Sequence, residues 1–435
     1  MPGRDGKPPK SVITCDLEGR IETFNEGAQQ IFGYEPEEVI GKERVSLFSP
    51  GLVVLGHVED WLETAKEEGE FKSETVFQRK DGTPFAAKIR ITTTHRDGEQ
   101  IGYCGMTERL PDKDPSEVMP EISLWTKLFS WLVVTRAPFL TATLIPILIG
   151  AAWVMSQGGL DQFPWMNFGL AMVGASALHI AANCFNDYFD WKSGADPANN
   201  EYFQALSGGS RAVEMGLISL KGMFNVAAAA SLVATICGAV LIYLVGPGIL
   251  LYGLVGLFSA YFYTAPPLRL VARKGLGELF IGLNFGPLMT SGTAYALTGA
   301  FHWVDLLVGV PVGLLTAAIL WINEFPDAPS DEATGKEHLV VVLGKRAARW
   351  GYVGLLLGAF GLVGIGAATG IFPAGALLFL GGLPIAAYAV KVLFEHFDDR
   401  ELVGANKATI WLQAVAGILM AVGIYWNEAI VAVIG

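Results

Sequence analysis

Two stretches, NCFNDYFDWKSGAD at 183–196 and NEFPDAPSDEATGKEHLVVVLG at 323–344, close two long apolar runs with the same pattern. The first sets Asn183, Asp187 and Asp190 four and three residues apart, with Asp196 beyond. The second sets Asn323, Asp327 and Asp331 at successive spacings of four. On a helix, positions i, i+4 and i+7 or i+8 share one face. Each run therefore predicts a helix whose last turns carry a stripe of amide and carboxylate oxygens. A carboxylate at mid-bilayer costs roughly 2.5–3.5 kcal/mol on insertion scales. Such groups are expected to face water, cations or each other.

The surrounding composition supplies the bilayer. Of the 435 residues, 52% are hydrophobic and 17% charged, against about 25% charged in an average soluble protein. The charge is uneven: 40 Asp, Glu, Lys and Arg side chains lie in residues 1–130 and 32 in the remaining 305. A soluble front end is joined to a membrane body. Apolar runs long enough to span fall near 131–156, 165–190, 222–245, 248–265, 275–298, 303–325, 347–370, 373–392 and 408–432. That predicts nine transmembrane helices, the fourth short.

The loops orient them. Lys192, Arg211 and Lys221 follow the second run; Arg269, Arg273 and Lys274 the fourth; Lys336, Lys345, Arg346 and Arg349 the sixth; Lys391, Arg400 and Lys407 the eighth. The alternate loops hold no Lys or Arg. The positive-inside rule makes the cationic side cytoplasmic. Both acidic stretches then lie at a cytoplasmic mouth, with the N-terminus inside and the C-terminus outside. This suits the cytoplasmic (inner) membrane, and the N-terminus MPGRDGKPPK lacks the apolar core of a signal peptide.

Other classes fit poorly. The soluble part has no run of Lys and Arg, so nucleic acid has no electrostatic footprint. Four scattered cysteines build neither a disulfide framework nor a zinc site. A transporter would place its acids near mid-membrane on broken helices, whereas these sit at helix ends on one side.

The front end alternates in short strands. Ser11–Asp16 and Arg20–Asn25 read as strands, Glu26–Tyr34 as a helix, and Glu35-Pro36 as the start of another. Asp81-Gly82 and Asp97-Gly98 mark two turns of a three-stranded meander. The stretch DLEGRIETFNEGAQQIFGYEPEEVIGK (16–42) and the hairpin RKDGTPF (79–85) resemble a PAS domain. The resemblance implies a sensor of small ligands or partner proteins and a PAS-mediated dimer. It leaves the ligand open: His57 is either a haem ligand or a surface helix residue. The expected division is a disordered tail at 1–10, the PAS-like unit at 11–110, a linker at 111–127 and the membrane domain from 128 to 435.

The membrane body resembles the UbiA-type membrane prenyltransferase superfamily. The two acidic stretches carry the likeness together with YFYTAPPLRL (261–270). SGGSRAVEMGLIS (207–219) and GLGELFIGLNFGPLMTSGTAYALTG (275–299) resemble the branch that prenylates 1,4-dihydroxy-2-naphthoate in menaquinone synthesis. One departure bears on the acceptor: that branch often reads Asn-Asn-x-Arg-Asp where this chain has Asn323-Glu324-Phe325-Pro326-Asp327.

The resemblance implies helices around a central cavity and two Mg²⁺ ions, with Asn183, Asp187 and Asp190 holding one and Asn323, Asp327 and Asp331 the other. Asp196 would ligate or orient Lys192. Arg211, Lys274 and Lys336 would contact the diphosphate, Arg136 would steer an acidic acceptor, and Tyr263 would shield the allylic cation or bond the diphosphate. His179, one turn before Asn183, is either a packed polar residue or part of the cavity. Two alternatives stay open: another quinone, tetrapyrrole or lipid acceptor, or a non-catalytic signalling protein that senses a prenyl lipid.

Overall fold

The computed structural model describes residues 9–17, 19–49, 57–118, 131–132, 134–158, 163–193, 212–213 and 218–434. They fall into two compact units, Met1–Trp131 with Ala212–Ile218, and Leu132–Arg211 with Ser219–Gly435.

The first unit is an antiparallel five-stranded sheet in the order β2-β1-β5-β4-β3. The strands are β1 (Lys10–Asp16), β2 (Ile21–Phe24), β3 (Glu70–Gln78), β4 (Pro84–Arg96) and β5 (Glu99–Arg109). Asn25 begins the helix Glu26–Phe32, its side chain accepting from Ala28 N at 2.8 Å. Gly33 ends it at φ 82°. Asp97 and Gly98, at φ 54° and 87°, form the tight turn between β4 and β5. The sheet and its helices enclose an aromatic core in which Phe32 and Phe48 lie 4.2 Å apart, with Phe77 and Phe85 against Phe32. Cys15 and Cys104 sit on the adjacent strands β1 and β5 and are free thiols. Burial pushes the Cys15 thiol up to about 11, so it is protonated at neutral pH. His57 opens the helix His57–Glu68.

The second unit is helical. Six stretches are long and apolar enough to cross a membrane among the described residues: Trp165–Ser193, Leu220–Val245, Trp303–Ala333, Lys345–Ala368, Ala374–His396 and Val403–Tyr425. Thr141–Ser156 and Ile249–Phe262 are shorter apolar helices. They fall within the first and fourth expected runs. The first begins ten residues late because a 3-10 turn, Ala137–Leu140, precedes it. The fifth run is helical but interrupted: Leu276–Leu283, a π-turn at Asn284–Leu288, then Met289–Thr298. The sixth extends to Ala333 through Pro326 and Pro329, so Asn323, Asp327 and Asp331 ride one continuous helix. Large apolar side chains such as Leu232, Ile236, Leu251, Leu357 and Ile365 are exposed, as a lipid-facing surface requires.

Small residues set the closest helix crossing. A Cβ on Gly286 would lie 2.5 Å from both Gly309 O and Gly313 Cα. The backbone of the π-turn thus rests directly on the Trp303–Ala333 helix, the close approach that glycine allows in membrane bundles.

Candidate active site

The C-terminal turns of the Trp165–Ser193 helix and of the Trp303–Ala333 helix border one cavity of about 530 Å³. Asn183, Asn186 and Asp190 line it from the first; Asn323, Glu324, Asp327, Ser330 and Asp331 line it from the second. Asp190 and Asp331 are both 4% exposed. Lys336 lies between them, its Nζ 3.4 Å from Asp190 Oδ2 and 3.5 Å from Asp331 Oδ2. Burial works against the charge of Lys336, but the two carboxylates outweigh it and hold the ammonium well above the ordinary lysine range. Asp187, buried, meets Arg136 NH2 at 3.5 Å.

The loop after Ala333 is tied down from the other side. Lys274 N donates to Glu337 O at 2.9 Å, and Glu278 Oε1 accepts from Leu339 N at 2.7 Å. These bonds fix the segment that carries Lys336 and His338. His338 is fully buried, with Nε2 3.2 Å from Asp331 Oδ2 and Nδ1 3.5 Å from Glu324 Oε2. Tyr263 lines the cavity, and its buried hydroxyl has no hydrogen-bond partner. Beyond the polar mouth the wall is apolar, formed by Leu178, Leu241, Ile249, Leu257 and Leu288 among others. His179 also borders it, with Nδ1 2.8 Å from Thr143 Oγ1 and its ring edge-on to Phe285.

Other expected residues lie elsewhere. Lys192 is exposed, its Nζ 5.0 Å over the Tyr188 ring. Lys274 is exposed and pairs with Glu337 at 3.4 Å. Neither lines the cavity. Asp196 and Arg211 lie outside the described residues. Glu278, His338 and Asn406 had no signal in the acidic spacing. His338 does stand two residues beyond Lys336, and Glu278 lies inside the quoted 275–299 stretch.

The donor set bears on the metal. Among the described residues, no three of His, Cys, Asp and Glu converge into one group able to hold an ion. Mg²⁺ needs less, because it takes one or two carboxylates and completes its octahedron with water and substrate phosphates. Hard carboxylate and amide oxygens on two sides of one cavity fit that requirement.

Residues 143–415 match the profile of the UbiA prenyltransferase family. The chain belongs to that family. It is a prenyltransferase and a multi-pass membrane protein, and residues 9–108 match a PAS domain. A 2-carboxy-1,4-naphthoquinone phytyltransferase of Synechocystis sp. is 28% identical over 300 residues, covering 68% of this chain and 93% of that one. A 1,4-dihydroxy-2-naphthoate octaprenyltransferase of Bacillus subtilis is 28% identical over 299 residues, covering 67% and 90%. Among solved structures, a UbiA homolog from Archaeoglobus fulgidus bound to GPP and Mg²⁺ is 17% identical, with a TM-score of 0.47 over 70% of this chain and 99% of that one.

Proposed function

We propose that the protein transfers a prenyl group from a prenyl diphosphate to an aromatic acceptor, 1,4-dihydroxy-2-naphthoate in menaquinone biosynthesis, and that the reaction depends on Mg²⁺. The observation that carries this reading is the pair of amide–carboxylate faces opposed across a cavity whose far wall is apolar. The names of the two bacterial relatives support the acceptor.

Asn183, Asp187 and Asp190 would hold one Mg²⁺, and Asn323, Asp327 and Asp331 a second. Bound there, the ions would neutralise the leaving diphosphate and orient it. Lys336 offers that diphosphate a charge-assisted contact from between the two acidic faces. Arg136, already against Asp187, is placed to hold an anionic substrate group beside the first face. Cleavage of the allylic C–O bond leaves a carbocation, and the apolar wall keeps water from it. The ring of Tyr263 gives the cation an aromatic face. The acceptor carbon then attacks, and the ring proton leaves as aromaticity returns.

The same reading places the enzyme in the cytoplasmic membrane, with its N-terminus and acidic mouth on the cytoplasmic side and its C-terminus outside. The PAS unit would adjust the rate without contributing to catalysis. Glu324-Phe325-Pro326 favours one second reading, a prenyltransferase acting on a different quinone precursor.

The test incubates membranes containing the protein with Mg²⁺, prenyl diphosphates of several lengths and a panel of acceptors. Mass spectrometry is expected to find prenylated naphthoate product that disappears with chelator. Product from another acceptor alone would replace the dihydroxynaphthoate assignment. Absence of product with every acceptor would overturn the transfer reading.

A further inference from the structure

We propose that Glu324, together with the hydroxyl of Tyr263, docks a free phenolic hydroxyl of the acceptor and thereby sets acceptor specificity. This inference rests on the transfer reading above.

Glu324 is 5% exposed and lines the cavity, yet neither carboxyl oxygen has a hydrogen-bond partner among the described residues. Buried carboxyl groups are rarely left so, because desolvation without a replacement bond is costly. The neighbours that might serve are committed elsewhere. His338 Nδ1 lies 3.5 Å from Glu324 Oε2, but it accepts the backbone N–H of Val341 at 3.4 Å. That contact assigns the ring hydrogen to Nε2, which faces Asp331 at 3.2 Å. Lys336 turns its charge to Asp190 and Asp331. Tyr263, in the same cavity wall, likewise has a buried hydroxyl without a partner.

The substrates differ in what they can offer. A prenyl chain has no polar atoms. Diphosphate oxygens are anionic acceptors and cannot donate to a carboxylate. A phenolic hydroxyl donates one hydrogen bond and accepts another. It can donate to Glu324 and accept from Tyr263, which satisfies both orphaned groups at once. A carboxyl group keeps an acceptor oxygen in either ionisation state, so the match does not depend on its charge. An ether at the same ring position leaves Glu324 facing a second acceptor. Sites that hydrogen-bond a substrate hydroxyl discriminate strongly against analogues lacking it, because their own polar groups are then stranded.

The experiment compares 1,4-dihydroxy-2-naphthoate with its two mono-O-methyl ethers, all electron-rich rings, in wild-type, Glu324→Gln and Glu324→Ala membranes. For the wild type, one ether is expected to show a KM about 10- to 100-fold above that of the parent, the size of one lost bond to a buried carboxyl. Glu324→Ala should raise the parent's KM by a similar factor and erase the discrimination. Its kcat, its KM for prenyl diphosphate and its Mg²⁺ half-saturation should stay within about threefold. Glu324→Gln, which keeps an acceptor oxygen, should restore most of the preference. Equal use of parent and both ethers by the wild type overturns the proposal even if the Ala variant fails to insert. A shift in Mg²⁺ or diphosphate saturation, with the acceptor KM unchanged, overturns it in favour of a metal-site role. A wild type that prenylates none of the three acceptors defeats the acceptor reading beneath it.

Discussion

Asn406 Nδ2 donates a hydrogen bond to Asn323 Oδ1 at 2.6 Å, across 83 positions of sequence. Asn406 is 1% exposed on the Val403–Tyr425 helix. It therefore fixes the rotamer of the amide that opens the second acidic face, and Oδ1 retains a lone pair for a cation. Asn406→Ala is expected to raise the Mg²⁺ concentration for half-maximal activity by about 10- to 100-fold, as loss of a supporting bond typically does, while membrane insertion persists. An unchanged metal dependence would mean that Asn323 needs no such anchor.

Asp187 and Asp327 should each be indispensable. Asp187→Ala or Asp327→Ala is expected to lower product formation at least about 100-fold, which corresponds to about 2.7 kcal/mol of barrier, with normal protein levels in membranes. Near-wild-type turnover of either variant at limiting Mg²⁺ would count against two metal-binding faces.

The PAS unit should be separable. A chain starting near Pro120 is expected to insert and to prenylate at a rate within about tenfold of the full protein, since the paired motifs all lie beyond it. Normal insertion with no product would show that the front end completes the site.

Topology offers a check independent of chemistry. A reporter fused after Gly435 is expected to read as outside, and one inserted at Gly335 as inside, from the one-sided distribution of loop cations. Reversed signals would move both acidic faces to the opposite surface.

The glycine crossing predicts a stability effect without a chemical one. Gly286→Ala brings a methyl within 2.5 Å of the Gly309 carbonyl. Overpacking of this kind typically costs about 1–3 kcal/mol. Thermal denaturation in detergent should show a lowered midpoint; an unchanged one would mean that the crossing can open.

Much of the site was legible because its signal is periodic. Asn183, Asp187 and Asp190, and Asn323, Asp327 and Asp331, announce themselves by spacing in an apolar background. Alternation likewise marked β4, and Asp97-Gly98 marked its turn. Glu278, His338 and Asn406 were not legible, because each acts through a partner far away in sequence: Leu339, Asp331 and Asn323. Lys192 and Lys274 show the converse. Nearness in sequence to the acids suggested a shared role, but a lysine stem at a helix end can lie along a neighbouring ring, and Lys274 meets an acid of its own. The sixth helix outran its expected end because prolines and charges, which close a span by hydropathy, do not oblige the backbone to stop.

The π-turn at Asn284–Leu288 works as a phase shift. An α-helix advances about 100° per residue, and a π-turn accommodates one residue more than an α-turn. Before it, Gly282 and Gly286 press on the Trp303–Ala333 helix; after it, Thr290 meets Pro146 and Gly150, and Ser291 bonds Tyr252 at 2.7 Å. Removing a single residue from 284–288 would leave composition and hydropathy almost untouched, yet rotate everything from Met289 to Thr298 off its partners. This segment should therefore accept many substitutions and no change of length. A deletion scan would find there an intolerance that a substitution scan misses.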